Sequence, residues 1–262
     1  MTPWTLALSG WLGAAILMLA AYGLARAKKD AGIVDVTWAA SVGLLGIYFA
    51  VFAGGEVHRR VLIAALVAIW SFRLAGYLLV DRFLRGPEDG RYQMLRSRFA
   101  GRANVFFFGF FQLQAFWAVL FAVPLLPGLF LAKPFPAWSD AAGVAVWLVA
   151  VIGEGVADRQ LARFRREPGH RGKTCRAGLW RYSRHPNYFF EWVHWFTYVI
   201  LAIGSVYVWV SLLGPVVMLV FLYKITGIPY TEKRALLSRG EDYRRYQRTT
   251  SAFIPWPPRA EP

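Results

Sequence analysis

The sequence predicts an all-α fold, a polytopic membrane bundle of about seven transmembrane helices in one domain over residues 1–262. The first observation behind this prediction is composition: 57% of the residues are hydrophobic and 17% are charged, whereas soluble domains carry about 25% charged residues. The second is a series of apolar runs near the roughly 20 residues that a helix needs to cross the hydrocarbon core. A soluble chain this apolar would lack the polar surface to cover its core.

The apolar runs follow one another from the N-terminus to residue 226. We predict spans at 4–25, 32–53, 61–80, 104–131, 138–157, 187–205 and 206–226. Pro124 and Pro127 should kink or end the fourth span. Only Gly204 and Ser205 separate the last two spans, which predicts a tight helical hairpin. The first run lacks a small-residue cleavage pattern and is interpreted as a retained helix, not a signal peptide.

The positions of the basic residues predict the orientation. Alternate connections carry 26 Lys and Arg on one side and 3 on the other, and the positive side faces the cytoplasm. Seven spans then place the N-terminus outside and the C-terminus inside. The polar segments 82–103, 158–186 and 227–262 become cytoplasmic loops and a cytoplasmic tail. The single Cys175 excludes an internal disulfide and fits a reducing compartment.

Several ionisable residues fall inside the predicted spans or at their ends, where charge is costly unless it faces a partner or a cavity. They are Asp35, Arg73, Glu154, Asp158, Glu191 and Lys224. Structural ion pairs, for example Asp35 with Arg73, are one interpretation. A polar cavity open to the cytoplasm is the other, because most of these residues gather toward one side. Arg73 also shares a helix face with Tyr77.

Two cytoplasmic segments carry motifs. After Asp158 the fifth span continues as a helix with Arg159, Arg163 and Arg166 at helical spacing, which suits anionic headgroups or a multiply phosphorylated ligand. In the segment 178–188, Pro186 fits the first turn of a helix and Ser183 a cap before it.

Other classes of site are less consistent with the sequence. We expect no metal, because neither His185 nor His194 has a second ligand at close spacing. We expect no nucleic acid partner either, because the +15 net charge lies between apolar runs. The nucleotide motifs of soluble folds are missing from the sequence.

The stretch Arg184-His185-Pro186-Asn187-Tyr188 within 178–195, together with the tail 230–257, resembles the steroid 5α-reductase family (3-oxo-5α-steroid 4-dehydrogenases), in particular its bacterial members. The similarity covers about residues 30–257 and is strongest after 158. The same motif is similar to isoprenylcysteine carboxyl methyltransferases and sterol C14 reductases. The resemblance implies a bacterial inner-membrane enzyme of steroid or lipid metabolism whose active site opens to the cytoplasm.

The resemblance also implies NADPH as cofactor. Asn187 matches the residue that holds the nicotinamide carboxamide, and Lys173 would lie near the adenosine phosphates. The full set of implied cofactor-binding residues is Arg73, Tyr92, Arg96, Glu154, Asp158, Arg165, Lys173, Tyr182, His185, Asn187, Glu191, Trp195, Glu232 and Arg234. Glu232 and Arg234 depart from the family, because the animal enzymes carry a His and a Tyr near there.

The implied reaction is hydride transfer from NADPH to the C4–C5 double bond of a 3-oxo-4-ene steroid or a similar enone lipid. The catalytic candidates are Tyr77, which matches the family's tyrosine, and Asp35, which stands where the animal enzymes have a Gln-Glu pair. We expect Tyr77 and a protonated Asp35 to donate hydrogen bonds to the carbonyl oxygen as it gains charge. A small apolar substrate would enter a monomeric enzyme from the bilayer lipid.

Two alternatives stay open from the sequence. A membrane methyltransferase of the isoprenylcysteine carboxyl type would use S-adenosylmethionine with the His185-Pro186 corner and Glu232. A transporter or structural membrane protein would need no cofactor, but the sequence lacks the internal repeats common in transporters. The identity of the cofactor separates the first alternative from the reductase.

Overall fold

A computed structural model describes residues 1–84, 87–225 and 227–260, and every regular element in these ranges is helical. Small parts of the predicted loop 82–103, the predicted span 206–226 and the predicted tail 227–262 lie outside the described residues. The chain forms two compact units. Unit 1 comprises Met1–Asp140 and Leu201–Ser211, and unit 2 comprises Ala141–Ile200 and Leu212–Pro262.

The helices agree closely with the predicted apolar runs. They are α1 (Pro3–Lys28), α2 (Ile33–Phe52), α3 (Val57–Leu78), α4 (Gly90–Arg98), α5 (Ala103–Ala122), α6 (Leu126–Leu129), α7 (Trp138–Arg166), α8 (Pro186–Leu201), α9 (Val208–Ser211), α10 (Leu213–Val220), α11 (Ile228–Arg239) and α12 (Glu241–Thr249). Wider π-helical turns at Leu79–Leu84 and Phe221–Ile225 follow α3 and α10. Regular helix α5 ends at Ala122, just before Pro124, as predicted.

Within the described residues, six helical stretches are long and apolar enough to cross a membrane. They are Pro3–Lys28, Ile33–Phe52, Val57–Leu84, Ala100–Leu129, Trp138–Arg166 and Val208–Arg239. The sixth predicted span, 187–205, corresponds to α8, which has 16 residues and a length of about 24 Å. A hydrocarbon core is about 30 Å thick, so α8 alone falls short and the count of seven is not confirmed.

Helices α2 and α3 of unit 1 pack closely through small residues. Ala39, Ala75 and Leu78 form a buried cluster between them. The Ser71 hydroxyl donates to the Ala39 carbonyl of α2 and accepts from the Gly43 N–H at 2.9 Å. A Cβ at Gly43 would lie 2.5 Å from the Ser71 oxygen. Only glycine therefore permits this approach, which resembles the close contacts through small residues that join helices in membranes.

A fully buried ion pair ties the start of α3 to the start of α7. Arg59 is 0% exposed, and its Nε and Nη2 each lie 2.7 Å from a carboxylate oxygen of Asp140. The guanidinium also donates to the carbonyls of Lys133 and Pro134, and the Ala137 N–H donates to Asp140. The pair thus satisfies the backbone polar groups of the 133–137 turn, which no sequence motif indicated.

Unit 2 is built on α7, α8 and α10. A Cβ at Gly153 of α7 would lie 2.4 Å from the Phe190 ring of α8, so glycine lets these two helices touch. The Trp192 indole N–H of α8 donates to the Pro215 carbonyl of α10 at 3.0 Å, which fits the predicted hairpin. Helix α7 continues to Arg166 and α8 begins at Pro186, as predicted for both.

We expect Asp140→Asn to lower the free energy of unfolding by about 3–5 kcal/mol, because it leaves the Arg59 charge buried without a counter-charge. The double variant Arg59→Met/Asp140→Leu should lose much less, because it removes both charges. Unfolding in mixed micelles as the fraction of sodium dodecyl sulfate rises measures both values. Equal loss in the single and double variants would contradict the assignment.

Candidate functional site

Asp35, the predicted catalytic carboxylate, is the centre of a polar cluster in unit 1. It lies in the first turn of α2 and accepts from Arg82, from Arg91 Nη2 at 3.1 Å and from the Tyr92 hydroxyl at 2.7 Å. Burial, and after it the negative charge of Asp35, raise the pKa of Tyr92 well above its usual value. Tyr92 therefore stays a neutral donor to this carboxylate.

A second carboxylate completes the cluster. Glu88 accepts from Arg96 Nη2 at 2.7 Å and from the Ala31 N–H at 2.8 Å. The Asp30 carboxylate accepts from the Gly32 N–H at 2.8 Å. The segment 88–96 is thereby held against the start of α2. Arg96, predicted to bind cofactor, serves here as a structural partner of Glu88.

These contacts give Asp35 a different role from the expected one. Its carboxyl oxygens accept from two guanidinium groups and a phenol O–H, whereas the sequence interpretation expected a donor. The observed guanidinium partners are Arg82 and Arg91, where the structural interpretation had suggested Arg73. Arg73 and Tyr77 both lie on exposed positions of α3, and Tyr77 is 63% exposed.

A third carboxylate, Glu232 of α11, organises unit 2. Its oxygens lie 2.7 Å from Arg184 Nε, 3.3 Å from His185 Nε2 and 2.9 Å from Gln247 Nε2. The Tyr243 hydroxyl is the fourth donor, at 3.4 Å. Burial is the largest cause that raises the pKa of Tyr243, and the charge of Glu232 adds to it. The cluster joins α11 and α12 to the Arg184-His185 motif.

The C-terminal tail is fastened to the same motif by backbone contacts. The Tyr246 hydroxyl donates to the Trp180 and Ser183 carbonyls. Ser183 Oγ donates to the Phe253 carbonyl at 2.7 Å and accepts from the His185 N–H at 3.1 Å. Ser183 therefore braces the turn before α8 and the tail. It does not cap the helix in the predicted way, because its acceptor contact is to His185, which precedes the helix.

The end of α7 and the start of α8 bring predicted cofactor residues together. Asn187 Nδ2 donates to Asp158 Oδ1 at 3.1 Å. The segment before α8 is seated on α7 by the Trp180 indole, which donates to the Ala157 carbonyl at 2.9 Å. Gly178 has φ of +60° and leaves no room for a Cβ beside Gln160. Glu154 and Glu191 are half-buried on the same two helices.

Exposure divides the remaining predicted residues into two groups. The exposed group, which can reach a ligand directly, consists of Arg165, Lys173, Tyr182 and Arg234. His185, Trp195 and Tyr92 are 3%, 0% and 3% exposed. Direct cofactor contact was expected of these three, and for these buried side chains it stays a prediction. Among the described residues, no group of three or more His, Cys, Asp and Glu side chains is placed to hold a metal ion.

In the described part of the chain, six helical stretches that are long and apolar enough to cross a membrane indicate an integral membrane protein of the all-helical class. The chain belongs to the family described as "Protein of unknown function (DUF1295)", whose model matches residues 21–250. Comparisons with curated proteins and with solved structures gave no match.

We expect Asp35→Asn to lower the free energy of unfolding by about 2 kcal/mol, because an amide cannot replace a carboxylate that binds two guanidinium groups. Asp81→Asn is the matched control, since Asp81 is exposed and should change stability little. Thermal unfolding in detergent compares them. Equal midpoints for the two variants would mean that Asp35 does not hold Arg82, Arg91 and Tyr92.

We expect Glu232→Gln to loosen the C-terminal tail. The neutral side chain weakens the contacts with Arg184 and His185, each about 1–3 kcal/mol for a charged hydrogen bond. Limited trypsin digestion should then cleave the tail several-fold faster at exposed sites such as Arg244 and Arg245. Glu167→Gln is the control, because Glu167 is exposed, lies outside the tail and should leave the cleavage rate unchanged. An unchanged rate in Glu232→Gln would contradict the role of this cluster.

Proposed function

We propose that the chain is an NADPH-dependent membrane reductase that transfers a hydride to the C4–C5 double bond of a 3-oxo-4-ene steroid or a similar enone lipid. The observation that carries the proposal is the hydrogen bond from Asn187 to Asp158 in unit 2. These two residues were chosen as cofactor ligands from family resemblance alone, 29 positions apart. Their direct contact supports the proposal, because two residues that bind the same cofactor must lie close together.

The residues of unit 2 fit a dinucleotide. The side-chain N–H of Asn187 donates to Asp158. This contact leaves the side-chain carbonyl oxygen of Asn187 to accept a hydrogen bond from a carboxamide. Arg163, Arg165 and Lys173 are exposed, and guanidinium groups bind phosphates in a bidentate manner. NADPH needs both features, an amide partner for its nicotinamide and cations for its three phosphate groups.

The chain's own residues then supply position and charge stabilisation. NADPH, when bound, supplies the hydride. The Tyr77 hydroxyl donates a hydrogen bond to the substrate oxygen on which negative charge develops. Asp35 accepts from Arg82, Arg91 and Tyr92, holds these residues in place and is a positioning residue. A steroid-sized apolar substrate partitions into the bilayer and reaches the protein from there.

For the topology we propose seven crossings, with the N-terminus outside and the C-terminal tail in the cytoplasm of a bacterial inner membrane. The excess of basic residues on alternate connections supports this orientation. In this arrangement α8 crosses a thinned bilayer or spans with its flanking turns, since short spans are tolerated at modest cost. The active site opens to the cytoplasm, where NADPH is available, and the enzyme acts as a monomer.

A methyltransferase is the second candidate, and one contact favours it. His185 and Glu232 lie 3.3 Å apart, and these are the residues that an S-adenosylmethionine enzyme of the isoprenylcysteine carboxyl type would use. The exposed arginines favour the reductase, because S-adenosylmethionine carries a sulfonium and no phosphate.

Titration of the purified chain with NADPH and with S-adenosylmethionine tests the cofactor. We expect NADPH to bind and Asn187→Leu to weaken it about tenfold, the effect of one lost hydrogen bond. Asn104→Leu, at the only other asparagine, should bind normally. Binding of S-adenosylmethionine in place of NADPH would establish the methyltransferase instead.

Tyr77→Phe tests the chemistry. Loss of a donor to a developing oxyanion should lower kcat about 10²–10³-fold with little change in NADPH affinity. Tyr207→Phe is the matched control, because Tyr207 is similarly exposed, at 61% against 63%, and should keep full turnover. Turnover of an enone steroid is followed by loss of NADPH absorbance. Normal kcat in Tyr77→Phe would remove Tyr77 from the mechanism.

A further inference from the structure

A groove runs along the membrane-spanning part of unit 1, between α1 and α2. Its volume is about 260 Å³, and its lining includes Gly10, Gly13 and Ala14 of α1 and Leu44 and Leu45 of α2. The lining carries no charged side chain. Small residues on α1 therefore leave a recess in a surface that otherwise faces lipid.

The hydroxyl groups that line the groove are already satisfied. Ser41 donates to the Thr37 carbonyl at 2.7 Å, and Ser9 donates to the Thr5 carbonyl at 2.6 Å. With the Ser9 proton used, Tyr48 donates to Ser9 Oγ at 2.8 Å. The groove consequently presents no unsatisfied donor, and a hydrocarbon can fill it without leaving a buried N–H or O–H group unpaired.

The size of the groove narrows the choice of occupant. Small-molecule pockets usually hold about 300–1,000 Å³, so a recess of about 260 Å³ cannot enclose a rigid four-ring steroid, whereas a flexible alkyl chain needs to lay only part of its length in it. A helix about 10 Å across would exceed this volume within a single turn, which argues against a second copy. A water molecule would need two to four polar partners, and the hydroxyl groups of Ser9, Ser41 and Tyr48 already hydrogen-bond within the protein. A single alkyl chain remains.

We propose that the groove binds one acyl chain of a membrane phospholipid, seated against Gly10, Gly13 and Ala14. The chain would fill the recess between α1 and α2 and bury apolar surface that these helices leave uncovered. This site is separate from the proposed enone site and does not depend on it.

Gly13 offers a way to fill the groove without damaging the fold. A Cβ at Gly13 meets no atom within 4 Å, whereas one at Gly10 would lie 2.8 Å from Leu45. Gly13→Phe should therefore occupy the recess with its own ring. Gly23→Phe is the matched control, because its Cβ also meets nothing within 4 Å and Gly23 does not line the groove.

The full chain is reconstituted in vesicles of phosphatidylethanolamine and phosphatidylglycerol that contain a trace of phosphatidylethanolamine with a diazirine at the end of one acyl chain. Irradiation is followed by mapping of labelled residues by mass spectrometry. We expect labels on Ala14 and Leu45, which are only 5% exposed, as well as on the lipid-facing Ile16, which is 70% exposed. Gly13→Phe should reduce the labels on Ala14 and Leu45 several-fold relative to Ile16, and Gly23→Phe should not.

The proposal is overturned if the wild-type chain shows labels on Ile16 but none on Ala14 or Leu45, or if Gly13→Phe keeps the wild-type pattern. Cross-linked dimers joined through α1 would assign the groove to a second copy and would also overturn it. Thermal unfolding verifies that the variant is folded, and Gly13→Leu replaces it if the larger ring is not tolerated. The wild-type map decides the question even without either variant.

Discussion

Charged side chains beside an apolar bilayer core need counter-charges and hydrogen-bond donors, because water is not there to solvate them. The chain has 15 acidic residues for 30 basic ones, so each buried carboxylate can draw on several cations. Asp35 is paired with Arg82 and Arg91, Glu232 with Arg184 and His185, and Asp140 with Arg59. Each binds donors that are far apart in sequence and fastens a helix end or a connecting segment. The polar architecture of both units depends on these three carboxylates.

The excess of basic over acidic residues also leaves arginines exposed at the end of α7. Helix α7 has 29 residues and is about 43 Å long, whereas the hydrocarbon core is about 30 Å thick. Its final turns therefore extend beyond the apolar layer, and these turns carry exposed Arg163, Arg165 and Arg166. A helix that ends in exposed guanidinium groups is suited to an anionic partner. The proposed dinucleotide supplies such charges at the place where Asp158 and Asn187 meet.

The fold was predictable to the extent that it depends on local pattern. Run length predicted seven spans, of which six correspond to helical stretches long and apolar enough to cross a membrane. Proline position predicted the end of α5 before Pro124 and the start of α8 at Pro186. The short α8 was not predicted, because an apolar run records composition and does not record where the backbone turns. Gly204, with φ of +105°, lies after the last helical residue of α8 and allows the chain to reverse early.

The candidate site was predictable only in part, for a different reason. Arg91 and Glu88 look like ordinary loop residues in the sequence, and so does Arg184 among its basic neighbours. Their importance comes from tertiary contacts with Asp35, Ala31 and Glu232, which local spacing cannot specify. Family resemblance named Asp158 and Asn187 together as cofactor-binding candidates, which local spacing could not do. The two side chains contact each other in the structure.

The contacts of Asp35 have a consequence for the proposed chemistry. Its oxygens already accept three hydrogen bonds, so we do not propose it as a second donor to the substrate oxygen. Tyr92 is also excluded as that donor, because its O–H is committed to Asp35 and its ring is 3% exposed. Tyr77 differs from Tyr92 in exposure, and a phenol that stays accessible on a membrane helix can meet an apolar substrate directly. The proposed reduction therefore rests on one neutral donor, Tyr77, while Asp35 serves to hold Arg82, Arg91 and Tyr92.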